Sequence, residues 1–199
     1  STRLTAAMVG LLRSFAVARF DASSAEGQRL CALMNQEGLV GSLLAERLLA
    51  GLRETLAALQ TLQLGSGETA GLDPEPGEMV LFDCGWAWGV VEHAPPVEVS
   101  DQIGAQPAGT DRELPHPYFT LEALRGIAHL HSERTLQLGL LNDEQQRLSG
   151  ELRLRYDIAQ GYWSTIAHFG RGRWPLEDLP WVTIDGEESD FTSLSIACL

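Results

Sequence analysis

Apolar residues recur at helical spacing over most of this chain. Leu4, Met8, Leu11, Leu12, Phe15 and Ala18 fall three and four apart, which predicts a first helix reaching Ala18. Ser23 followed by Glu26 reads as a capping box for a second helix, with Leu30, Leu33 and Met34 as its stripe and Gly38 as its stop. A third helix is predicted from Val40 to Leu62, where Leu44, Leu48, Leu52, Leu56 and Leu59 run down one face.

The period then fails. Residues 65–78, GSGETAGLDPEPGE, hold four Gly and two Pro and cannot sustain a helix or a central strand. In the next segment, Met79–His93, Val80 and Phe82, then Trp86, Trp88 and Val90, alternate by two; a small β-hairpin is expected there. Residues 94–117 form a second long loop, a length at which loops are commonly functional or disordered.

Helical spacing returns at Tyr118, with Thr120 as cap and a stripe of Leu121, Leu124, Ala128, Leu136 and Leu140 reaching Leu141. Asn142 caps the longest candidate helix, which runs to Gly170. Leu148, Leu152, Ala159, Trp163 and Ile166 make one stripe on it, and Leu154, Ile158 and Tyr162 a second. So wide an apolar face suits a central helix. A final helix is expected from Phe191, capped by Ser189 or Asp190, and its run to Leu199 without a stop signal suggests that the natural chain continues.

The pattern predicts a mainly α protein: a helical bundle or stacked helix hairpins of about six helices, with two long loops and one small hairpin. It divides as an N-terminal helical subdomain over 1–64, a loop-rich segment over 65–117 and a C-terminal helical subdomain over 118–199, together one continuous domain.

Charge narrows the partners. Fourteen Lys+Arg against twenty-seven Asp+Glu give a net charge of −13. Nucleic acids and anionic membranes are bound mainly through basic surfaces, so neither is an expected partner. No run of eighteen apolar residues is present to span a bilayer. All the basic residues are Arg, a pattern of GC-rich coding that suggests a high-GC bacterium. The lack of Lys excludes lysine Schiff bases and a Walker A phosphate clamp. Cys31, Cys84 and Cys198 are widely spaced and odd in number, which suits reduced cytoplasmic thiols rather than a disulfide framework or a zinc site.

Four groups of residues merit chemical reading. Residues 173–194, RWPLEDLPWVTIDGEESDFTSL, place Trp174 and Trp181 beside prolines and six carboxylates within fourteen residues. Asp185, Glu188 and Asp190 are candidate catalytic acids; the plainer reading is a capped helix start, and the spacing does not fit an EF-hand. Cys84, with His93 or His116, is a candidate thiol–imidazole pair, against a buried structural cysteine. His129 and His131 lie two apart on a helix and diverge, so no metal site is expected. Arg153, Arg155 and Arg173 are candidates for holding an anion or an acidic peptide, against pairing with the interleaved acids.

Neither GxGxxG, HExxH, GxSxG nor the protein-kinase motifs occur. The expectation is therefore a non-enzymatic interaction or scaffold module of a larger bacterial protein or assembly. Its partner would be another protein or other domains of the same chain, bound through Trp86, Trp88, Trp174 and Trp181, and no cofactor is expected. The alternatives are a helical hydrolase or lyase using acids of the 177–190 loop, and a Cys84 thiol hydrolase.

Overall fold

The structure, a computed structural model, describes residues 1–25, 27–28, 31, 39, 41–66, 80–100, 102–167, 194–195 and 198. It is mostly helical, with one two-stranded antiparallel sheet. The elements are α1 (Thr2–Arg13), β1 (Phe15–Asp21), α2 (Gly41–Gly51), α3 (Arg53–Ser66), β2 (Val80–Trp86), α4 (Pro117–Leu130), α5 (Glu133–Gln137) and α6 (Asp143–Ala167). The chain divides into two compact units, Ser1–Ala18 with Cys84–Ala159, and Arg19–Asp83 with Gln160–Leu199.

The first helix stops earlier than its stripe suggests. Met8, Val9 and Leu12 are buried on α1. At Ser14 the backbone N–H and the hydroxyl both turn back to the Gly10 carbonyl and close the last turn. Beyond it FAVARFD is a strand, in which Ala16 and Ala18 are buried on one face. Two residues apart share a face on a strand but diverge on a helix. The partner of β1 is β2, so the small sheet is present, but its two strands stand some sixty residues apart in the chain rather than in a local hairpin.

In the first unit Trp86 is the joining residue. It is 1% exposed, and its indole N–H donates to the Leu11 carbonyl at 2.9 Å. Its ring meets Phe15 edge to face, with centroids 5.0 Å apart. Its backbone N–H donates to Thr120 Oγ1, and its carbonyl accepts from the N–H of His116. A buried indole must find an acceptor, and here α1 supplies it. Helix α6 starts as its sequence predicts: Asn142 Oδ1 accepts from the N–H of Gln145, and Gln145 Oε1 accepts from that of Asn142. The buried Gln145 amide also donates to Thr5 Oγ1 and the Ser1 carbonyl, which ties α1 to α6.

The long loop before α4 is pinned at intervals. The Arg13 guanidinium donates to the Ala94 carbonyl. Ser100 donates to the Glu144 carboxylate, and Arg147 to the Glu98 carbonyl. The Gln106 amide braces the loop internally, accepting from the Val97 N–H and donating to its carbonyl. Helix α4 ends at Leu130 rather than continuing to Leu141, because Ser132 caps the separate turn α5 by accepting from the N–H of Thr135. Its N-cap is His116 rather than Thr120. Leu136, Leu138 and Leu140, part of or beside the predicted stripe, are consequently exposed.

In the second unit the helix predicted over Val40–Leu62 is interrupted at Leu52, giving α2 and α3. Leu44, Leu48, Leu52 and Leu59 are buried as their spacing requires. Phe82 packs on Tyr162 of α6, with centroids 5.5 Å apart. A Cβ at Gly51 would lie 3.3 Å from the Thr165 side chain, so the helices approach closely there. The cap after β1 is Ser24, whose hydroxyl accepts from the N–H of Gly27, while Ser23 donates from its N–H and hydroxyl to Asp21. Glu26, the stripe Leu30, Leu33 and Met34, and Gly38 lie outside the described residues. On α6, Leu148, Leu152, Ile158, Ala159, Tyr162, Trp163 and Ile166 are buried, whereas Leu154 is 42% exposed.

Candidate interaction surface

The segment GWAWG, residues 85–89, sets two tryptophans two apart. On a continuing strand they would share a face. They do not, because β2 ends at Trp86 and the chain bends over Trp88–Val90. Trp86 turns into the core; Trp88 is 77% exposed.

That exposed ring is held in place. The N–H of Gly89 donates to Asp111 Oδ2 at 2.6 Å. Val91 and Asp111 form an isolated parallel bridge, the N–H of Glu92 donates to the Asp111 carbonyl, and the N–H groups of Thr110 and Asp111 reach the Val90 carbonyl. The approach is so close that a Cβ at Gly109 would lie 1.8 Å from the Val91 carbonyl oxygen; only glycine fits.

The Trp88 ring packs on Phe119 with centroids 4.7 Å apart and planes at 69°. Phe119 also meets Tyr118 at 5.2 Å and 78°, and His116 at 5.3 Å and 60°. Local sequence explains the arrangement. Pro117 occupies the first turn of α4, where its missing N–H costs nothing, and His116 caps it by accepting from the N–H of Tyr118 through Nδ1. The two aromatics that follow are thereby presented next to Trp88. Phe119, Tyr118 and Asp111 were not among the residues suggested by the sequence. The HPYF stretch carries a helix-start signal and an aromatic pair; Asp111 carries none, because its partner is a backbone group 22 residues away.

The other candidates fall elsewhere. Cys84 is 0% exposed, whereas His93 is exposed, adopts φ 66° and lies 3.8 Å from Glu92. The His116 Nδ1 is engaged at the start of α4. The Cys84 thiol is therefore sealed in the core in this arrangement. Cys31 is also buried, and burial pushes its thiol pKa up.

Arg153 pairs with Asp157 at 3.0 Å and lies over the Tyr156 ring at 4.9 Å. Arg155 is half-buried, donates to the Glu151 carbonyl and lies over Phe15 at 5.9 Å. Burial lowers the Arg155 pKa from its ordinary value, and the charge of Glu151 opposes that. Arg153 is thus paired with an interleaved acid, whereas Arg155 is engaged by a backbone carbonyl and an aromatic ring. Ser149 Oγ lies 3.0 Å from His131 Nε2, but Ser149 is buried in α6, and the contact ties α4 to α6.

Among the described residues no group of three His, Cys, Asp or Glu is placed to hold a metal ion, and no helix is long and apolar enough to cross a membrane. Trp174, Trp181, Arg173, Asp185, Glu188 and Asp190 lie outside the described residues, as does the rest of the 177–190 loop.

The chain belongs to the SCO2524-like family. Its model matches residues 1–199, so both compact units fall within the match. No curated protein and no solved structure matches the chain. The name SCO2524-like carries no reaction or ligand, and the functional reading rests on where the side chains lie.

Proposed function

We propose that this chain is a non-enzymatic interaction module, a helical bundle serving a larger bacterial protein or assembly in the cytoplasm, and that it docks a protein partner through the Trp88 surface. One observation carries the reading: Trp88 is 77% exposed although the bend beneath it is fixed by Asp111. A single exposed apolar residue needs no explanation. A large aromatic held rigidly in water is different, because ordering it has already been accomplished and a partner that covers it gains the burial without that loss. Tryptophan is the residue most enriched among those that dominate binding energy. Tyr118 and Phe119 extend the same surface.

The test is capture from lysate of the source organism, with the wild-type chain and Trp88→Ala as paired baits. A stoichiometric partner held by the wild type and lost by the variant is the expected result. Equal capture by both baits, or none by either, overturns the reading.

A further inference from the structure

Two features of the Trp88 corner bear on what it binds. The first is its geometry. Trp88, Tyr118 and His116 each stand steeply against Phe119, at 69°, 78° and 60°. At 77% exposure the Trp88 ring is open to solvent, and a π face carries the negative lobe of the ring quadrupole. The second is charge: the chain as a whole carries a net charge of −13, and the two arginines that reach the 94–98 stretch from other elements, Arg13 and Arg147, are engaged by the Ala94 and Glu98 carbonyls. An exposed aromatic face on an acidic protein attracts cations and repels phosphate.

The fold shows how it treats such pairs elsewhere. Arg153 lies over Tyr156 at 4.9 Å and Arg155 over Phe15 at 5.9 Å. Trp88 offers the strongest cation-binding face of the aromatic side chains, yet among the described residues no arginine of this chain lies over it.

We infer that the partner presents an arginine, whose guanidinium stacks on Trp88 against the Phe119 corner and is drawn there by the chain's net negative charge. This deepens the docking reading above and rests on it. Arginine fits better than lysine because its planar, weakly hydrated group lies flat on a ring, whereas an ammonium holds its water. A leucine or phenylalanine anchor suits the face less well, since such side chains gain most in a closed pocket and Trp88 projects into solvent.

The experiment follows the indole N–H signal of Trp88 in the full ¹⁵N-labelled chain, identified among the five indoles by its loss in Trp88→Ala. The probes are the peptide Ser-Arg-Gly-Arg-Ser and its citrulline and lysine counterparts. Citrulline keeps the shape and removes the charge. A saturable shift with the arginine peptide is expected, with binding weaker by roughly threefold or more for citrulline, as a contact of about 0.5–1 kcal/mol or more implies. Lysine should fall between them, and added salt should weaken the arginine response. Circular dichroism confirms that Trp88→Ala is folded, and its remaining indole signals should stay still. Equal responses to arginine and citrulline, or none to either, overturn the inference. The lysate capture separates the two claims. Partner loss in Trp88→Ala without an arginine response leaves docking standing and removes arginine; capture unaffected by the substitution removes docking itself.

Discussion

The Asp111 carboxylate accepts the N–H of Gly89 at 2.6 Å and so fixes the bend that carries Trp88. Asp111→Ala leaves a partly buried N–H without its acceptor. The expected cost is about 1–3 kcal/mol, read from urea denaturation. Capture that depends on Trp88 should fall with it, although Asp111 need not touch the partner. A variant with full stability and full capture would show that the bend holds without this bond.

Trp86 and Trp88 should separate sharply on mutation. Trp86→Ala empties a core site and strands the Leu11 carbonyl, so a loss of about 3–5 kcal/mol is expected. Trp88→Ala should stay within about 0.5 kcal/mol of the wild type. Thermal or urea unfolding of both variants decides the matter; similar losses would contradict the burial of one and the exposure of the other.

Gly85 has no room for a side chain. A Cβ there would stand 2.4 Å from Thr120 Oγ1, the atom that accepts from the Trp86 N–H. Gly85→Ala should destabilise by about 1–3 kcal/mol. Thr120→Ala alone forfeits that hydrogen bond, yet it clears the space. The double variant should therefore be less destabilised than the two single losses added together, by about 0.5 kcal/mol or more. Strict additivity would mean that the strain lies elsewhere.

The cysteines should react in order of exposure. Cys198 is exposed; Cys31 and Cys84 are buried. Iodoacetamide on the native chain, followed by peptide mass spectrometry, should label Cys198 first and spare Cys84 until urea opens the core. Rapid labelling of native Cys84 would revive a thiol chemistry that its burial speaks against.

Asp21 supplies a pH dependence. The Ser23 hydroxyl and backbone N–H both donate to its carboxylate and hold its pKa below the ordinary aspartate value. A depressed folded pKa gives stability that is present above the unfolded value and lost as pH falls through the folded one. The stability difference between wild type and Asp21→Asn should accordingly be largest near neutrality and shrink in acid. A difference that grows on acidification has the wrong sign for this bond.

Helix α6 was legible because its information is local: a capping pair at Asn142 and Gln145, then a stripe of buried residues at helical spacing. Strand β1 was not, because Ala16 and Ala18 are explained by a partner sixty residues away, while the preceding helical stripe runs on through Phe15. The tryptophans show the same limit. Alternation by two put Trp86 and Trp88 on one surface, and the end of β2 between them sent one inward and the other out. Leu154 matched the spacing of a second stripe but found nothing to cover it. The candidate surface was half legible for a related reason: aromatic residues announce themselves, but the carboxylate that positions them is recognised only once the fold brings Asp111 to Gly89.

The anchoring of α1 also sets an order of events during synthesis. Leu11 waits for Trp86, 75 residues later, and Thr5 waits for Gln145, 140 residues later. At ribosomal speeds of roughly 5–20 residues per second, the second tether arrives roughly 7–28 s after the first turn has been made. Until then α1, with Met8, Val9 and Leu12 on its buried face, lacks the hydrogen bonds that Gln145 brings to Thr5 and Ser1. The first helix made thus takes one of its tethers from the longest and latest of the described helices, and a chain cut short before Gln145 would lack that tether.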